Sequence, residues 1–166
     1  MWYHGARMSG ATAEPSTRLR RARREDISAL LGVVGGVEPA RARALRRILK
    51  TLAADVYVLD RDRRIDGVVA VFYRRSLREG GLVATIDALE TFATDAGSDG
   101  AADLDALLDH ALDRARRRGC VAVDAATDVE PLQRALALRG FQTGTPRWMQ
   151  VLPPRPHALA DQGGEG

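Results

Sequence analysis

Side chains able to do chemistry are few in this chain. Cys120 is the single cysteine, so no disulfide can form within it. It opens a short apolar run, Cys120 to Val123, and reads as a small core residue rather than a nucleophile. The three histidines are scattered and no Cys/His cluster exists, so no metal site is expected. His110 falls in a helical segment and is expected on its exposed side. Two carboxylates, Asp87 and Glu90, stand in one long strand-like segment, where the plain expectation is a polar, half-exposed position. Asp99, Asp103 and Asp105 surround the start of a helix, where negative charge suits the dipole. Two arginine clusters, Arg18 to Arg24 and Arg114 to Arg118, have the charge for phosphate binding. Acidic residues are interleaved and aromatics make up only 5% of the chain, so the clusters read as solvated faces and a nucleic-acid partner is not expected.

The elements that position these groups follow from periodicity. Leu19 to Ala22 reads as a short strand. Glu25 and Asp26 open a helix carrying Ile27, Leu30, Leu31 and Val34, closed by Gly35-Gly36. A second helix starts at Pro39, with Leu45, Ile48, Leu49 and Leu52 as its apolar stripe. Val56 to Leu59 and Val68 to Tyr73 form a hairpin around a polar turn, Asp60 to Arg64. Leu82 to Thr94 is a long strand, with Leu82, Ala84, Ile86 and Ala88 on one face and Val83 and Leu89 on the other. A β-bulge is expected in so long a strand. Asp95 to Asp103 is a Gly-, Ala- and Asp-rich loop. The helix after it buries Leu104, Leu107, Leu108, Ala111 and Ala115 and ends at Gly119. Val121 to Val123 is a buried strand. Thr127 and Glu130 have capping-box spacing for a helix closed by Gly140. Trp148 to Leu152 reads as a final strand.

The 166 residues, 45% hydrophobic, suffice for one domain with a core. Residues 1–17 are expected to be a flexible leader, 18–152 the domain, and 153–166 a disordered tail. The leader lacks the pattern of a secretory signal, and no apolar run is long enough to span a membrane. The lone cysteine fits a reducing, cytoplasmic setting. Lys50 is the only lysine, so the net charge of +3 is carried by arginine. The order β-α-α-β-β-β-α-β-α-β predicts an α/β or α+β fold, with a mixed, mostly antiparallel sheet flanked by helices.

This order resembles that of the GNAT (GCN5-related N-acetyltransferase) superfamily over roughly Leu19 to Leu152. The stretch Asp105 to Gln142 is similar to the family's central helix, its next strand and the helix ending in a Gly-Phe pair, here Gly140-Phe141. The hairpin from Val56 to Arg75 is similar to its second and third strands. The resemblance implies an acetyl-CoA-dependent N-acetyltransferase with an amine acceptor, a small molecule or a protein. It also allows a homodimer, since dimers are common in the family. It places Phe92, Ala93 and Thr94 where backbone pairs with the pantetheine amides. Gly97, Gly100, Ala101, Ala102 and Leu104 fall along the pyrophosphate loop, where glycines admit backbone N–H groups to the phosphates.

The family's loop follows the pattern Gln/Arg-x-x-Gly-x-Gly/Ala. Here Asp99 stands at its leading position, Ala102 at the first glycine and Leu104 at the last small residue. Gly100 matches an additional glycine common in the family. Acids in this stretch oppose an anionic cofactor, each close like-charge contact costing on the order of a few kcal/mol. The resemblance implies Glu90 as general base, with Asp87 the second candidate. The family's proton-donating tyrosine falls on Leu136, which has no proton to give, and Tyr73 is the weak substitute. The alternative implied by these departures is a catalytically degenerate domain that binds or assembles.

Overall fold

Alternating Val, Leu and Ile from Val56 to Leu89 build the sheet, and amphipathic segments on either side cover it. The computed structural model describes residues 17–33, 38–92, 100–127 and 130–142. The strands are β1 (Thr17–Arg21), β2 (Ala54–Arg61), β3 (Arg64–Ser76), β4 (Gly81–Thr91) and β5 (Cys120–Ala125). The helices are α1 (Ile27–Val33), α2 (Pro39–Ile48), α3 (Gly100–Arg117) and α4 (Glu130–Leu138), with a 3-10 turn before α1. The sheet order is β1-β2-β3-β4-β5; all pairs are antiparallel except β4 with β5. The expected order of elements is therefore found, and the expected last strand lies outside the described residues.

One face of the sheet packs Val56, Val58 and Val68 against Leu30 of α1, Leu45 and Ile48 of α2, and Leu49 at the end of α2. The other packs Val69, Val71, Ala84, Ile86 and Leu89 against α3 and α4. Leu107 and Leu108 of α3 are fully buried there, each contributing about 1.5–3 kcal/mol by leaving water. Gly67 explains how close α3 comes: a Cβ at this position would meet Leu107 at 2.8 Å.

Several expectations need correction. Leu52 is not on the α2 stripe; it follows the helix and is 83% exposed. The hairpin turn is only Asp62-Arg63, both with positive φ, and the strands run up to it on either side. Thr17, assigned to the leader, is the first residue of β1 and pairs with Arg61. The described part of α4 begins at Glu130, so the expected capping by Thr127 falls on residues outside the described ones; Gln133 reaches back to the Thr127 carbonyl. The most consequential correction is in β4. Ala70 pairs with Ala88 but Val71 with Ile86, so Asp87 is the extra residue of a bulge. The bulge was expected, but its effect on the faces was not. It reverses side-chain parity, so Leu89 joins Ala84 and Ile86 in the α3/α4 core. Ala88 and Glu90 turn to the face of Ala70 and Val68.

Candidate functional site

The bulge at Asp87 and the end of β5 make the site. β5 pairs with β4 only from Leu82 to Ile86. β4 runs on to Thr91, still paired with β3, so its other edge has no strand partner among the described residues. The gap is closed at its sides by the first turns of α3 and by α4. The result is a cleft of about 980 Å³ lined by residues 87–91 of β4, by Gly100, Ala101, Leu104 and Asp105 of α3, and by α4.

The structure thus brings together Asp87, Glu90, Gly100, Ala101 and Leu104, which come from two separated stretches of sequence. Asp87 and Glu90 are both exposed on the cleft wall. Ala102 lies on the same helical turn but is not part of the lining. Phe92 is placed elsewhere: its amide donates to the Asp66 carbonyl at 2.7 Å, and its ring packs with the α1/α2 core. Ala93, Thr94, Gly97 and Asp99 lie outside the described residues.

The α4 wall was missed by the sequence reading. Pro131, Arg134, Ala135 and Leu138 face the cleft. Their helical spacing was visible, and so was an apolar Leu138, now 78% exposed at the rim. Arg134 is the one cation in the lining among the described residues, against Asp87, Glu90, Asp105 and Glu130.

The acids at the start of α3 behave differently from the expectation. Asp103 is buried and turned away from the cleft, and Arg61 of β2 donates to both its carboxylate oxygens at 3.0 and 3.1 Å. Asp105 does line the cleft, but it is bridged by Arg139 at 2.9 Å. The described carboxylates of this turn therefore each carry a guanidinium partner, which lowers the like-charge barrier to an anion.

The opposite end of α3 holds a second charged cluster. Asp55 is fully buried. It accepts hydrogen bonds from Arg114, Arg118 and the Tyr73 hydroxyl, and Arg21 approaches it at 3.4 Å. Burial alone would raise its carboxyl, but Arg118, Arg114 and Tyr73 outweigh that and hold it below the usual carboxylate range. Burial, then the neighbouring Asp55, pushes the Tyr73 phenol well above its ordinary value. Tyr73 is thereby committed to Asp55 and does not line the cleft, which removes it as a proton donor there. Much of the two arginine clusters is spent in the same way, Arg20 on Asp26 and Asp60, Arg117 on Asp113.

His110 is not on an exposed face. Its ring meets Tyr57 edge-on at 4.2 Å, and its Nε2 is buried without a hydrogen-bond partner among the described residues. Cys120 is partly buried against the core, and burial raises its thiol, as suits an inert residue. Leu136 is buried in the same core. Gly140 and Phe141 close α4 by donating to Ala137 and Leu136, with Gly140 at φ 79°. No group of three metal-ligating side chains occurs among the described residues. No described helix is long and apolar enough to cross a membrane.

No family model and no curated protein matches the chain. Solved structures do. Glucosamine-6-phosphate N-acetyltransferase from Arabidopsis thaliana superposes with a TM-score of 0.67 at 17% identity, over 83% of this chain and 99% of its own. An aminoglycoside N-acetyltransferase in complex with CoA gives 0.67 at 14% identity, over 87% and 99%. The fold is that of the GNAT acetyltransferases. A transcriptional regulator from Bacillus halodurans C-125 superposes as well, with a TM-score of 0.67 at 22% identity over 82% of this chain and 100% of its own. Similarity at this level carries the fold, and the chemistry has to be argued from the cleft.

Proposed function

We propose that the chain is an acetyl-CoA-dependent N-acetyltransferase whose acceptor is an amine. The observation that carries this reading is the parting of β4 from β5 after Ile86, which opens a cleft between a strand edge with no strand partner among the described residues and the start of an 18-residue helix. Its size, its unpaired backbone edge and the guanidinium partners of Asp103 and Asp105 fit a long, amide-bearing, anionic ligand. Acetyl-CoA would supply an acetyl group already activated as a thioester. The chain's own residues would do the rest. Gly100, Ala101, Ala102 and Leu104, at the start of α3, would lie against the phosphate end, where the helix dipole and Arg134 favour negative charge. Ala93, Thr94 and Gly97 extend the proposed cofactor contacts. Glu90 would take the proton from the acceptor amine, directly or through water, with Asp87 second in line. Leu136 gives no proton, so we assign protonation of the departing thiolate to water in the open cleft.

Calorimetric titration with acetyl-CoA, followed by a thiol-release assay over a panel of primary amines, tests the reading. Micromolar binding and amine-dependent thiol release are expected. A second reading, a binding or assembly module without turnover, is favoured by one observation: Leu136 is packed in the core where the family has its tyrosine. Binding without thiol release from any amine would favour that module, and absence of binding at millimolar acetyl-CoA would remove the cofactor from both readings.

A further inference from the structure

We infer that Arg61 is a positioning residue for the phosphate end of this site: it masks the Asp103 carboxylate, so that the first turn of α3 can face an anion. The inference rests on the acetyl-CoA reading above. Arg61 is spent on three partners. Its Nε donates to the Thr17 hydroxyl at 3.0 Å. Its Nη2 donates to both oxygens of Asp103. Its Nη1 lies 3.0 Å from Asp66 Oδ2, and Arg64 Nε donates to Asp66 Oδ1 at 2.7 Å. Two guanidiniums thus stand against two carboxylates, Asp66 being 1% exposed.

The cluster also has a mechanical side. Asp66 is itself the extra residue of a bulge, because Leu59 pairs with Gly67 but Asp60 with Ile65. Its carbonyl accepts the Phe92 amide. Phe92 follows β4, and Asp103 lies in the first turn of α3. One hairpin therefore fastens the chain on both sides of positions 93–99, by Asp66 at one side and Arg61 at the other. Loss of Arg61 leaves Asp103 buried and uncompensated at the end of the helix that should attract an anion.

Calorimetry with acetyl-CoA on the full chain tests this, comparing wild type, Arg61→Gln, Asp103→Asn and the double variant. Arg61→Gln is expected to bind at least ~10-fold more weakly, from one uncompensated charge at intermediate dielectric. Removing the unpaired carboxylate as well should bring the double variant back to within ~3-fold of wild type. Equal binding by Arg61→Gln and wild type overturns the inference. So does a double variant as weak as Arg61→Gln, because removing the unpaired carboxylate would then restore nothing. If Arg61→Gln does not fold, Asp103→Asn alone decides: retained or tighter binding supports masking, and a ~10-fold loss overturns it. Failure of wild type to bind is a different result, since it removes the cofactor reading itself.

Discussion

The two ends of α3 solve the same electrostatic problem with opposite polarity. At the C-terminal end the helix and the turn just after it supply the cations, Arg114 and Arg118, and the sheet supplies the carboxylate, Asp55. At the N-terminal end the helix supplies the carboxylate, Asp103, and the sheet supplies the cation, Arg61. Each arrangement puts on the helix the charge its dipole favours. The surroundings differ. At the Asp55 end the carboxylate is fully buried, with Tyr73 hydrogen-bonded to it and stacked beneath Arg118 at 4.2 Å. The Asp103 end stands beside the place where β4 and β5 part. A charged cluster away from the cleft stabilises the fold, whereas one beside it sets the potential that a ligand meets.

That contrast can be broken experimentally. The largest effect is expected from Asp55→Ala, which leaves Arg114, Arg118 and the Tyr73 hydroxyl without their partner. We expect a loss of about 3–5 kcal/mol in stability, read from urea unfolding. The affinity of the remaining folded protein for acetyl-CoA should not change; a large change would mean the two ends are coupled through α3. Next is Glu90→Gln, at the cleft. Amine acetylation should fall at least about tenfold with the unfolding midpoint unmoved. An unaltered rate would take Glu90 out of the mechanism and leave Asp87 to be tried. Arg134→Ala should weaken acetyl-CoA binding roughly several-fold, more at low salt than at high, because the lost charge is exposed and screened. Salt-independent weakening would point to lost packing instead.

The smallest effect concerns pH. Burial, then Arg114, lowers the His110 imidazole below its ordinary value, while Arg117 adds to this and Asp113 and Asp55 oppose it. The unfolded chain then binds more protons than the folded one below the ordinary histidine pKa of about 6.5, so stability falls as pH drops through that range. His110→Leu should flatten the unfolding midpoint between roughly pH 7 and 5. An unchanged slope would place the protons on another group. Asp55 acts lower down: its depressed carboxyl stabilises above the ordinary carboxylate pKa of about 3.9, and that contribution is lost as pH falls further.

Much of this was legible in the residues alone. Apolar spacing gave α3 its buried face, and Pro39, Gly119 and Gly140 marked helix ends, because these signals are local and depend on backbone conformation. The carboxylates Asp87 and Glu90 and the glycine at 100 could be named as candidates, and they do meet in one cleft. The sequence also shows that Leu136 cannot donate a proton, since that is a matter of residue type. Tertiary structure decided the rest. A bulge is one residue whose position depends on the partner strand, so the faces of β4 could not be read from alternation once Asp87 was inserted. Nor could the sequence tell a repelling acid from a neutralised one. Asp103 and Arg61 are 42 residues apart, and only the packing of α3 over the β2–β3 hairpin brings the guanidinium to the carboxylate and turns an apparent barrier into a neutral pair.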